Sequence, residues 1–239
     1  MTGPATDAGR RTAMPLAATA AGNAEVDGCC STRAPNRMDP GPEWHAASRR
    51  ARALSWVSLA WMTGEGVLGL VAGLTAASLS LIGWALGSVI EGIASIIVIW
   101  RFTGSRTLSE TAEGGAQKAV AVSFFLLAPY LATQAAHDLL TGHSSESSTL
   151  GVIVTSASLL VMPALGVTKQ RLAAVLDSGS TAGEGLQNLM CAAQAGAVLA
   201  GLAATAAFGW TWVDPVIALV LAGWAVRAGR DSWRGEDCC

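Results

Sequence analysis

The stretch LSLIGWALGSVIEGIASIIVIW, Leu79 to Trp100, carries one charge, Glu91, in a run long enough to cross a bilayer core as a helix, which takes about 20 apolar residues. Five further runs of this kind accompany it. They extend approximately over Ala53 to Leu74, Ala119 to Leu140, Thr149 to Val167, Leu186 to Phe208 and Trp212 to Val226. The chain of 239 residues is 51% hydrophobic and only 13% charged, far less charged than a soluble domain. The expected fold is all-α: an integral membrane bundle of six transmembrane helices, multi-pass in the cell membrane and surrounded by lipid.

All fifteen Lys and Arg residues fall on alternate sides of that arrangement. Arg49, Arg50 and Arg52 precede helix 1, and Arg101, Arg106 and Lys118 lie between helices 2 and 3. Lys169 and Arg171 lie between helices 4 and 5, while Arg227, Arg230 and Arg234 follow helix 6. The connections Thr75 to Ser78, Thr141 to Ser148 and Gly209 to Thr211 contain none. Short loops rich in Lys and Arg stay on the cytoplasmic side, so both termini are expected there. Residues 1–47, rich in Ala, Gly, Pro and Thr, read as a disordered cytoplasmic tail; residues 48–232 form the membrane domain, and 233–239 a short tail with cysteines. The net charge of -2 gives no basic bulk for nucleic acid.

A carboxylate at the bilayer centre costs several kcal/mol, of order 3 by insertion scales, so it must face a partner or a watery cavity. Glu65 and Glu91 each lie about twelve residues into their helix, near the midplane, and are expected to share one cavity. On helix 5, Glu184, Gln187, Cys191 and Gln194 follow the spacing i, i+3, i+7, i+10 and form one polar stripe. Carboxylate and thiolate are anionic metal ligands, and sulfur shifts preference toward softer ions such as zinc. Buried cysteine is also commonly an inert apolar filler, and glutamines also bond neighbouring helices. A secondary polar cluster stands at the outer end of helix 3: Gln134, His137 and Asp138, with His143 and Asp214 nearby. The adjacent pairs Cys29-Cys30 and Cys238-Cys239 suit a reducing compartment, where structural disulfides are rare. No GxSxG elbow, Walker loop, HExxH or GxGxxG at a strand-helix junction is present, so no enzyme activity is expected.

The tract SLSLIGWALGSVIEGIASIIVIWRF, Ser78 to Phe102, resembles the second helix of the cation diffusion facilitators, and GEGLQNLMC, Gly183 to Cys191, resembles their fifth-helix motif. The resemblance covers about Trp56 to Glu236. It implies proton-coupled export of a divalent metal from the cytoplasm by a homodimer, with a tetrahedral site between helices 2 and 5 and no permanently bound cofactor. Position by position, Gly87 and Glu91 stand at the helix 2 ligands, Gln187 at a His and Cys191 at an Asp. Only Glu91 is a conventional replacement, and the family's frequent carboxyl-terminal domain has no counterpart. The chain is also similar to an offshoot group ending in a WRGxxCC-like tail, here Trp233 to Cys239, with an acidic residue in helix 1 as at Glu65. The implied metal set is then Glu65, Glu91, Cys191 and Gln187, with Zn2+ or a similar divalent cation as substrate. The competing expectation, motivated by Gly87 and Gln187, is a non-transporting membrane subunit or metal-sensing regulator that kept the fold.

Overall fold

The computed structural model describes residues 40–75, 79–142 and 149–235, all within one compact unit, Pro35–Cys239. The tail up to residue 39, His143 and the cysteine pairs at 29–30 and 238–239 lie outside the described residues. Six α-helices make up the architecture: α1 Gly41–Thr75, α2 Leu79–Arg101, α3 Glu110–Thr141, α4 Thr149–Leu176, α5 Gly179–Phe208 and α6 Val213–Arg234, with a 3-10 turn over Gly104–Leu108. Among the described residues there is no strand, and the all-α expectation holds. Among the described residues four helices are long and apolar enough to cross a membrane, over Gly41–Val71, Glu110–Thr141, Val152–Leu176 and Gly179–Phe208.

The helices outrun the apolar runs, and local chemistry explains where they stop. The α3 helix begins at Glu110 because the Ser109 side chain accepts from the Ala112 N–H at 3.2 Å and Glu110 and Glu113 lie in the first turn, where the helix dipole favours negative charge. At its other end α5 stops at Gly209, whose φ of 69° lets its N–H bond the Thr205 carbonyl at 2.9 Å. The first helix starts at Gly41 rather than after residue 47. Trp44 and Ala47, counted with the tail on sequence, are buried with Ala51, Val98, Phe102 and Leu176, and the Trp44 indole donates to the Leu176 carbonyl at 3.4 Å. Lys118 belongs to α3 and Lys169 to α4, not to connecting loops.

Neighbours pack most extensively as α1 with α2, α4 with α5, and α3 with α6. One apolar core, built on Phe124, Leu127, Leu131, Met190, Leu221 and Ala225, joins α3, α5 and α6, with Ala94 of α2. The start of α1, the ends of α2, α4 and α6 and the starts of α3 and α5 meet at one end of the bundle, tied by Trp44 to Leu176, Arg101 to Glu113, and Lys118 over the Trp233 ring. This basic end contrasts with the opposite one, where Phe208, Trp210 and Trp212 stack on one another.

Candidate functional site

Two buried polar clusters are strung along α5, and backbone spacing alone separates them. Glu184 precedes Cys191 by two turns, about 10 Å at 1.5 Å per residue. The cluster farther from the basic end is built on α1, α2, α4 and α5. Gln194 Nε2 donates to Glu91 Oε1 at 2.7 Å, and the Cys191 thiol is hydrogen-bonded to the same carboxyl group. Glu65 lies near enough to Glu91 to repel it. Its own carboxyl group is held by Trp61 Nε1 at 2.8 Å and by the Ser158 hydroxyl, with the indole also 3.2 Å from Ser158 Oγ. Among the described residues no Lys, Arg or His pairs with either carboxylate. Met62, Met162, Leu165 and Ala192 form one buried apolar cluster with Cys191.

The sequence-derived metal set is thus partly gathered. Glu91 and Cys191 meet, Glu65 approaches, and Gln187 turns elsewhere. Gln187 is buried, its Oε1 accepts from Ser123 of α3 at 3.4 Å, and its Nε2 has no partner among the described residues. The polar stripe on α5 divides among neighbours: Glu184 serves α1 and α4, Gln187 serves α3, and Cys191 and Gln194 serve α2. Among the described residues no three His, Cys, Asp or Glu side chains form a group able to hold a metal ion. Gly87 does not open onto free space. A Cβ there would stand 3.2 Å from Tyr130 Cε1 and 3.5 Å from its hydroxyl oxygen, so the Tyr130 ring fills the place of a side chain at 87. That ring is half-buried against α2, within electrostatic reach of Glu91 and of Asp138.

At the end of α3, His137 Nδ1 lies 3.3 Å from Asp138 Oδ1, but the imidazole is 56% exposed and Asp138 only 19%. Asp138 is the inward-facing member of the pair. Asp214 packs at the mouth of α6 against Gly201, where a Cβ would come within 2.6 Å of the Asp214 Cβ.

Nearer the basic end stands a cluster that hydropathy did not expose. Lys169 Nζ donates to Glu184 Oε1 at 2.7 Å and to Ser58 Oγ at 2.6 Å; Ser55 Oγ donates to Glu184 Oε2 at 2.6 Å and Asn188 Nδ2 to Ser58 Oγ at 2.9 Å. Lys169 and Glu184 have side chains 0% and 1% exposed. Glycines permit the approach: a Cβ at Gly166 would meet the Gly185 carbonyl at 2.9 Å, and one at Gly185 would meet Lys169 Cβ at 3.1 Å. Closest to that end, Arg101 Nε pairs with Glu113 Oε2 at 2.6 Å, and Glu113 Oε1 accepts from Ser178 Oγ and the Ser180 N–H, which caps the start of α5.

A signal for these contacts exists in the sequence. Ser55, Ser58, Met62 and Glu65 repeat on α1 the i, i+3, i+7, i+10 spacing of the α5 stripe, and they are the residues that face it. No protein-family model matches the chain.

Proposed function

We propose that the chain is a multi-pass membrane transporter of a divalent cation, zinc or a similar ion, with six spans and both termini cytoplasmic. The supporting observation is the Glu91 carboxyl group bonded to Cys191 and Gln194, with Glu65 beside it and no Lys, Arg or His paired with either carboxylate among the described residues. Two buried carboxylates near the midplane of an apolar bundle demand a compensating positive charge, a proton or a metal. A cation entering there meets oxygen from Glu91 and sulfur from Cys191. The Cys191 sulfur favours the softer end of the divalent series. Carboxyl and thiol must lose their protons before they bind a metal, so cation entry and proton release at Glu91 and Cys191 are one exchange. Export from the cytoplasm by a homodimer completes the reading.

A second reading, a membrane regulator that binds without transporting, is favoured by one feature. Tyr130 occupies the space at Gly87, and Gln187 faces α3, so two of four family positions supply no ligand. Metal content and affinity of purified wild type, Cys191→Ala and Glu91→Gln, measured with zinc and cadmium between pH 5.5 and 8, address the site common to both readings. At least one ion should bind with affinity that rises with pH, and each variant should bind more weakly. Equal content in wild type and Glu91→Gln would remove Glu91 from the site.

A further inference from the structure

The Lys169 cluster has the donor set of a cation site, and a cation is already in it. Around the ammonium stand a carboxylate, Glu184, and a hydroxyl, Ser58, at 2.7 and 2.6 Å, with the Ser55 hydroxyl on the far carboxylate oxygen and the Asn188 amide on Ser58. The oxygens that contact the ammonium are hard ones drawn from two elements, Glu184 Oε1 of α5 and Ser58 Oγ of α1, while α4 supplies Lys169 itself, and there is no sulfur among them. Such a set does not suit a soft divalent ion. It suits a compact monovalent cation, and a primary ammonium has that charge.

Helix packing shows that the site is built rather than incidental. Gly166 and Gly185 bring the α4 and α5 backbones together where Lys169 enters, and Ser55 and Ser58 lie one turn apart on the α1 face that meets them. Toward the basic end, Trp44, Ala51, Phe102 and Leu176 form the next layer. An ammonium in this position costs much desolvation unless every neighbour is arranged for it, and here its neighbours are.

We propose that Glu184, Ser55, Ser58 and Asn188 form a site for a hard monovalent cation at the α1–α4–α5 seam, filled by the tethered ammonium group of Lys169. The tether has a consequence for coupling. A site filled from within is closed to sodium, so movement of α1 against α4 and α5 depends on the ammonium leaving Ser58 and not on a second ion arriving. Glu184 is two turns from Cys191 on α5, and this cation site stands independently of the metal reading.

The test uses the purified full-length chain in detergent, with thermal midpoints measured in sodium chloride, methylammonium chloride and N-methylglucamine chloride at equal ionic strength. Wild type should melt alike in all three. Lys169→Ala frees the pocket, and its midpoint should rise by about 5 °C, saturably, in sodium or methylammonium relative to the bulky N-methylglucamine. Lys169→Ala/Glu184→Gln removes the carboxylate and should lose that response. Equal midpoints for Lys169→Ala in the three salts would overturn the proposal, as would an equal shift in the double variant. Failure of Lys169→Ala to be recovered folded even in sodium and methylammonium would also overturn it, since the pocket would then accept no cation but its own. None of these outcomes depends on zinc.

Discussion

Glu184 of α5 and Glu91 of α2 are both buried, yet the first has a cation of the chain beside it and the second, among the described residues, has none. Glu184 is matched by Lys169 on Oε1 at 2.7 Å and by the Ser55 hydroxyl on Oε2 at 2.6 Å. Glu91 has a thiol and an amide, with Glu65 adding repulsion. A compensated carboxylate holds helices together; an uncompensated one must take its positive charge from outside. The contrast separates the part of the molecule that sets its shape from the part suited to exchange.

The largest expected effect breaks the compensated region. Glu184→Gln leaves the Lys169 ammonium buried without its counter-charge, and removal of one partner of a buried pair costs about 3 to 5 kcal/mol. Chemical or thermal unfolding in detergent should register it fully, and a change below about 1 kcal/mol would mean that water reaches Lys169. Next comes Gly166→Ala: its Cβ would press on the Gly185 carbonyl at 2.9 Å and on Leu189, so α4 and α5 must part at a cost of about 1 to 3 kcal/mol. Glu91→Gln should behave in the opposite way. It keeps the shape, gives up a repulsive neighbour of Glu65, and should leave stability within about 1 kcal/mol of wild type while weakening zinc binding at least tenfold, roughly 1.4 kcal/mol. The same stability loss at Glu91 as at Glu184 would erase the distinction. Smallest is His137→Ala, on an exposed ring: stability within roughly 0.5 kcal/mol, and zinc flux unchanged.

Hydropathy made the helices legible because a bilayer-length apolar run leaves few alternatives, and the basic residues marked one end of the bundle. It failed at the helix ends. The apolar run stops at Val167, but α4 continues to Leu176, which turns Lys169 from an expected loop charge into a buried one. Nothing local could pair it with Glu184, since that depends on two glycines meeting across helices. The α5 stripe correctly marked polar contacts at Cys191 and Gln194 but not their division. Gln187 lies on the edge of that stripe, and the neighbouring Ser123 of α3 decides where its amide goes. Gly87 stands at a ligand position of the resembled motif, but a missing side chain says nothing about what fills its place; Tyr130, some forty residues away in α3, fills it.

Zinc flux into proteoliposomes, followed with an entrapped indicator under an imposed proton gradient, tests most directly whether the uncompensated carboxylates exchange a cation across the membrane. Wild type should exceed protein-free vesicles, with Glu91→Gln reduced to their level and His137→Ala matching wild type. Wild-type flux no faster than in empty vesicles at any gradient, or equal flux in Glu91→Gln, would contradict a transport site at Glu91.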